Sequence, residues 1–256
     1  MDLFDYMKET TMEKESPLAS RMRPTTLDEV VGQEHIIGPG SCCTVRSRRI
    51  NSAPSFLRPP GTGKTTLARV IANTTSAEFT QLNATTAGKK DMEEVVKEAQ
   101  QRIGMYGKKT ILFVDEIHRF NKGQQDYLLP FVEDGTLVLI GATTENPYFY
   151  VYNAVLSRST VFEFKQVPAA EVEKAVLRAV SILCARENVT ADIEPGTAGY
   201  IASVCGGDVR KALNTVELLF SAAPRDGASV RLLRADAENI THAAPCTTTA
   251  PGDGSL

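Results

Sequence analysis

At 256 residues the chain is long enough for one large domain, or for a core domain with a smaller one beside it. A hydrophobic share of 42% and a charged share of 23% are ordinary for a globular protein, and a net charge of −3 excludes whole-chain attraction to nucleic acid or membrane. The five cysteines (Cys42, Cys43, Cys184, Cys205 and Cys246) are odd in number and form no CxxC pair, which argues against a disulfide framework or zinc site and makes a reducing compartment the default. No apolar run approaches the ~18 residues of a membrane span. The opening "MDLFDYMKETTMEKESP" lacks the apolar stretch of a signal peptide.

In chain order, residues 1–20 are polar and read as a flexible arm. "RMRPTTLDEVVGQEHI" follows, where a threonine N-cap and acids in the first turn predict a short helix. A helix opens at Lys64, "AEFTQLNA" is a strand, and "KKDMEEVVKEAQQRIG" has helical spacing ending at Gly104. "KKTILFVDEIHRF" and "TLVLIGATTENP" hold continuous apolar runs, the mark of strands buried on both faces of a parallel sheet. "GQQDYLLPFVEDG" between them is helical, and "STVFEFKQV" is a last strand. From Pro168 the pattern is helix alone: "AAEVEKAVLRAVSILCARE", "EPGTAGYIASVCG" and "GDVRKALNTVELLFSAA". Alternating strands and helices followed by helices predict an α/β domain over 21–165 and a small all-helical lid over 166–222. Residues 223–256 are expected to be disordered or aberrant.

"LRPPGTGKTTLARVIANTT", residues 57–75, is nearly a phosphate-binding P-loop. Such a loop aims backbone N–H groups of a helix N-terminus at phosphates. Its lysine, here Lys64, reaches the β and γ phosphates, and the next hydroxyl, here Thr65, ligates Mg²⁺. The strand of "ILFVDEIHRF" ends in Asp115, placed for the Mg²⁺ shell, and Glu116, where a carboxylate can polarise an attacking water. Alone, such a pair reads as a solvated turn; after a P-loop in an alternating chain it does not. "IGATTEN" ends a buried strand at Thr143, Thr144 and Asn146, which offers a polar group to the γ-phosphate or water, or simply caps the strand. Arg158 in "VLSRS" and Arg210 in "GGDVRKALN" read singly as surface charges, but an ATPase needs cations against developing phosphate charge.

Together these stretches, with "DEIHRFNKGQQD" and "GATTENP" the most specific, resemble the replication-associated recombination protein A family of AAA+ ATPases, in its bacterial form. The resemblance covers residues 1–40 and 59 to about 222. It implies a P-loop AAA+ parallel-sheet core with a helical lid, ATP and Mg²⁺ as cofactors, and an ATPase acting on DNA at stalled or damaged replication forks. By resemblance, Pro59, Pro60, Gly61, Thr62, Gly63, Lys64, Thr65 and Thr66 form the phosphate loop, and Thr65 and Asp115 the metal site. Glu116 is then the catalytic base, Thr143 the first sensor, Arg158 a finger reaching a neighbour's ATP and Arg210 the second sensor. Val31, Gly32 and Gln33 match the segment near adenine. The implied partners are DNA, single-strand-binding protein and further copies of the chain, without a membrane, in the bacterial cytoplasm at the nucleoid. The alternatives are a clamp-loader-like or Holliday-junction motor ATPase, or a nucleotide-dependent interaction module without efficient hydrolysis.

The chain departs from the family at about 41–58 and again after about 242. "SCCTVRSRRINSAPSFLR" stands where relatives carry an apolar strand, and Arg58 stands where the P-loop has its first glycine. Re-read one base earlier, the codons of residues 41–57 permit an apolar helix and strand, and those of 245–251 permit a family segment. Two compensating indels near 40 and 57, and a shift after about 242, would explain both, with a divergent insert as the other reading. On this reading residues 41–57 supply no continuous strand, and Arg58 impairs turnover where a permissive glycine belongs.

Overall fold

The computed structural model describes residues 17–38, 62–243 and, for the backbone alone, 55–58. Its described residues fall into two compact units: Met22–Pro168 with Gly207–Val209, and Ala169–Gly206 with the chain from Arg210 onward and the segment up to Arg21.

The first unit is built on five parallel strands: β1 (Ser55–Arg58), β2 (Glu78–Asn83), β3 (Thr110–Asp115), β4 (Leu137–Ala142) and β5 (Thr160–Glu163). Their order is β2-β3-β4-β1-β5, so the chain leaves β1 for the far edge and works back before crossing to β5. Strands β3 and β4 are apolar at nearly every position because the sheet is covered on both sides. Alternation sorts their side chains. Ile111, Phe113, Val138 and Ile140 pack under Leu67, Ala68 and Ala72 of the helix Lys64–Thr74. Leu112, Val114, Leu137 and Leu139 pack under Met92, Val95 and Val96 of the helix Lys89–Tyr106 and Leu128 and Val132 of the helix Lys122–Glu133. Each such Leu, Ile or Phe contributes about 1.5–3 kcal/mol by leaving water. A parallel sheet with this order leaves a crevice at the carboxyl ends of its central strands, where the connections diverge.

Several expectations need correction. Ser55–Arg58 does form a strand, paired with Ile140–Ala142 on one side and Thr160–Glu163 on the other, although its sequence carries little apolar pattern. Arg58 pairs with Glu163 in extended backbone, a conformation that needs no glycine. Residues 39–54, where a frame change was expected, lie outside the described residues, as do 59–61 and 244–256. The helix expected to stop at Gly104 runs on to Tyr106 and is capped by Gly107 at φ 62, the left-handed turn that glycine permits. The expected Thr-capped helix near 26 is a short 3₁₀ turn, Leu27–Glu29, in which Thr26 makes no side-chain cap. Glu29 instead accepts from the backbone N–H of Thr25 at 2.8 Å.

The second unit is not purely helical. Around the helices Ala169–Glu187, Thr197–Val204 and Val209–Ala222 it carries a small sheet in the order β6-β8-β7. Here β6 (Thr190–Ile193) runs parallel to β8 (Ser229–Leu232), and β7 (Arg225–Asp226) runs antiparallel to it. The expected loose tail is ordered as far as a helix, Arg234–Ala243. In it Thr241 is buried and its hydroxyl lies 3.2 Å from that of Tyr200. The end of the expected N-terminal arm is ordered too: Leu18–Arg21 is a helical turn with Leu18 buried. Glu217 accepts from the Leu18 N–H at 3.0 Å and from the Arg21 guanidinium at 2.7 Å. Among the described residues no helix is long and apolar enough to cross a membrane.

Candidate active site

Three adjacent strands, β3, β4 and β1, end at one edge of the sheet, and the polar residues stand just past those ends. Past β1, Gly63 adopts φ 93 and hands the chain to the helix Lys64–Thr74. A Cβ at residue 63 would meet nothing within 4 Å, so it is the positive φ that asks for glycine there. The first backbone N–H groups of that helix have no partner within it and carry its positive dipole end. Lys64 lies at this N-terminus, only 8% exposed, and donates from Nζ to the Thr143 carbonyl at 3.3 Å. Thr62 is also buried, while Thr65 and Thr66 are half-buried. These residues suit a polyphosphate: a lysine, a row of amide N–H groups and the Thr65 hydroxyl. Pro59, Pro60 and Gly61 fall outside the described residues.

Asp115 closes β3, and its Oδ1 accepts from the backbone N–H of Glu116 at 3.2 Å. Glu116 then turns the chain at φ 52, a left-handed conformation uncommon for a residue with a Cβ. The turn points its carboxylate at the end of β4. There Thr144 donates its hydroxyl to Glu116 Oε2 at 3.1 Å. His118 Nδ1 lies 3.2 Å from the same oxygen and 2.9 Å from the Thr143 hydroxyl. The Thr143 hydroxyl also accepts from the N–H of Glu145 at 3.0 Å. Hydrogen bonds therefore run from Lys64 through Thr143 to His118, whose ring nitrogen faces the Glu116 carboxylate, and Thr144 bonds that carboxylate from β4.

The network adds detail to the expected site. Thr143 is fully buried with its hydroxyl against His118 and the Glu145 N–H, and the hydroxyl that reaches the Glu116 carboxylate belongs to half-buried Thr144. His118 was not among the expected site residues, although it stands in "DEIHRF", two positions past the glutamate.

A second buried residue frames the site. Gln125 donates to the Phe120 carbonyl at 2.9 Å and accepts from the Tyr152 N–H at 2.8 Å. It thus ties the loop after β3 to the segment after β4. No periodicity marks it, because its value lies in bonds to residues 27 positions away.

The remaining expected residues have surroundings of their own. Gly32 and Gln33 both have positive φ, and a Cβ on Gly32 would come within 3.2 Å of Val167. The side-chain amide of Gln33 bonds both backbone groups of Lys165, donating at 2.6 Å and accepting at 3.0 Å. That amide is occupied in pinning Val31–Gln33 beside the chain that leaves β5. Arg158 follows the short helix Asn153–Leu156, where its Nε meets Glu133 Oε1 at 2.6 Å and its Nη1 donates to the Ala154 carbonyl at 2.9 Å. Arg210 is exposed at the second position of the helix Val209–Ala222, in the other unit.

The profile of the ATPase family associated with various cellular activities (AAA) matches residues 56–167, the span holding this site. The chain is 44% identical over 212 residues to replication-associated recombination protein A of Haemophilus influenzae, covering 81% of this chain and 47% of that protein. It is 40% identical over 221 residues to the Escherichia coli K12 protein of the same name, covering 85% and 49%. The chain therefore spans about half the length of the curated relatives it matches. Among solved structures, the Thermotoga maritima RuvB Holliday junction branch migration motor superposes with a TM-score of 0.69 at 24% identity, over 87% of this chain and 72% of that one, a likeness of fold. Fold and profile place the chain in the P-loop AAA+ class. Within that class, the chain belongs to the family of replication-associated recombination protein A.

Proposed function

We propose that this chain binds ATP with Mg²⁺ and hydrolyses it, and that the hydrolysis serves work on DNA at stalled or damaged replication forks. The observation carrying the chemistry is the cluster of Lys64, Thr143, His118, Glu116 and Thr144, which sets a buried cation and a carboxylate at one edge of the sheet. Lys64 and the first amides of its helix hold the β and γ phosphates. Thr65 and Asp115 hold Mg²⁺, which supplies positive charge against that developing on the phosphates. Glu116 takes the proton of the attacking water, and Thr144 keeps its carboxylate in place. Val31–Gln33 form the wall beside adenine, and Arg210 adds a cation from the lid.

Support for the DNA task is the name of the relatives at 40–44% identity. Single-strand-binding protein as partner and a place at the nucleoid in the cytoplasm rest on the same likeness. Arg158 is the finger offered to a neighbouring copy in a homo-oligomer; its exposure supports this.

The test is ATP binding and turnover by the purified chain, with and without forked DNA. Lys64→Ala should weaken ATP binding by ~30-fold or more, since removing one side of a buried charged contact costs about 2–5 kcal/mol. Turnover that forked DNA leaves unchanged would remove the DNA reading and leave a generic ATPase. ATP binding without any turnover would favour the interaction-module reading.

A further inference from the structure

We propose that the exposed rings of Tyr148, Phe149 and Tyr150, with the cations Arg119 and Lys122 beside them, form a stacking surface for single-stranded DNA. The inference rests on the DNA reading above and gives that reading a place on the molecule. The rings stand on the short helix Pro147–Tyr150, beyond β4. That helix is fixed at both ends: Pro147 and Val151 are buried, and the Asn146 side chain accepts from the Tyr148 N–H at 3.1 Å. Between those ends Tyr148 is 67%, Phe149 81% and Tyr150 52% exposed. Three of the chain's seven tyrosines fall within 148–152, so the rings are concentrated here. Adjacent aromatic side chains held out in water on an anchored turn make a contiguous apolar patch, which marks a contact site where a single exposed ring would not.

The cations come from the loop after β3, where Arg119 and Lys122 are both exposed. The Lys122 ammonium lies 4.5 Å from the centre of the Tyr152 ring, and the His118 and Tyr150 rings meet edge-on with centroids 6.2 Å apart. Gln125 donates to the Phe120 carbonyl at 2.9 Å and accepts from the Tyr152 N–H at 2.8 Å, so the two segments are tied into one surface. No acid occurs in 117–125 or in 146–152; Glu116, Asp126 and Glu145 stand at the borders. Rings with cations among them suit an unpaired strand, whose bases stack on aromatic faces while its phosphates meet the positive charge. Every base has such a face, so the contact is indifferent to sequence. A duplex keeps its base faces stacked on one another and shows only their edges in its grooves. The same rings therefore favour the single strand.

The test is fluorescence anisotropy of the full chain with three labelled probes: a short oligothymidylate, its duplex with oligoadenylate, and an abasic strand of equal length. Tyr148→Ala and Phe149→Ala should each weaken oligothymidylate binding about 5- to 150-fold, the loss of one stacked base. Both side chains are mostly exposed, so neither change should disturb the fold or basal ATP turnover. The abasic strand should bind the parental chain weakly and lose nothing more in these two variants. Arg119→Ala and Lys122→Ala should weaken the oligothymidylate and the abasic strand alike, because they remove phosphate contacts. Unchanged oligothymidylate affinity in both ring variants, or equal parental affinity for strand and duplex, overturns the surface and leaves the DNA reading standing. Failure of the parental chain to bind any of the three probes defeats both. Sedimentation without DNA supplies the last arm: self-association that Phe149→Ala abolishes, with strand affinity unchanged, gives the rings to a second copy of the chain and overturns the proposal.

Discussion

The chain handles two of its carboxylates in opposite ways. Glu116 sits in a shielded network with His118, Thr143 and Thr144, in which His118 and Thr143 each have a second partner. Glu133 meets Arg158 more closely, at 2.6 Å, but those side chains are 50% and 45% exposed. An exposed pair of this kind contributes about 0.2–1 kcal/mol and is weakened by salt. A shielded network resists exchange because breaking one bond strands a buried polar group. The difference separates groups whose geometry the fold fixes from groups it leaves free to change partner. The proposed base would suit the first setting, and the proposed finger arginine the second.

Four changes would break or sharpen this contrast. Glu116→Gln should cut turnover ~10²- to 10⁴-fold while ATP binding survives, because the base is lost and the phosphate site is not. Hydrolysis at the parental rate would remove Glu116 from its role. Next, Arg158→Ala should lower turnover in assembled copies, and mixing it with Lys64→Ala should restore part of it. One subunit then supplies the finger and the other the pocket. Mixed assemblies with no recovery would confine Arg158 to its own surface. Third, Gln125→Ala should destabilise the first unit by about 1–3 kcal/mol in urea unfolding, since it deprives the buried loop backbone of its partners. A change within error would show that the two loops need no tie. Smallest, Glu133→Ala should shift stability by less than ~1 kcal/mol at moderate salt. A loss above ~2 kcal/mol would erase the contrast between the two carboxylates.

Strands β3 and β4 were legible in the sequence because burial on both faces leaves an uninterrupted apolar run, and Asp115 and Thr143 were legible as the polar residues at which those runs stop. Gly63 and Lys64 were legible as a glycine turn that opens a helix. The features that stayed hidden depend on partners distant in sequence. Strands β6 and β8 are four residues each and pair across 39 residues inside a helical stretch. So short a run carries no dependable period. His118 and Gln125 look like any polar residue beside a strand or within a helix, and only the approach of the chain after β4 gives them work. Ser55–Arg58 is the reverse case. Its sequence argues poorly for a central strand, and neighbours on both sides hold it as one.

The left-handed backbone of Glu116 has a consequence for descent. A residue with a Cβ at φ 52 costs about 1–2 kcal/mol that glycine would avoid. Stability alone would favour glycine at this position, and the proposed role of Glu116 as base would favour the glutamate. In a lineage that had ceased to need turnover, position 116 would be free to drift toward glycine or asparagine while the buried strand before it stayed apolar. If the proposed role holds, the residue found there in a relative would record whether that lineage still hydrolyses ATP.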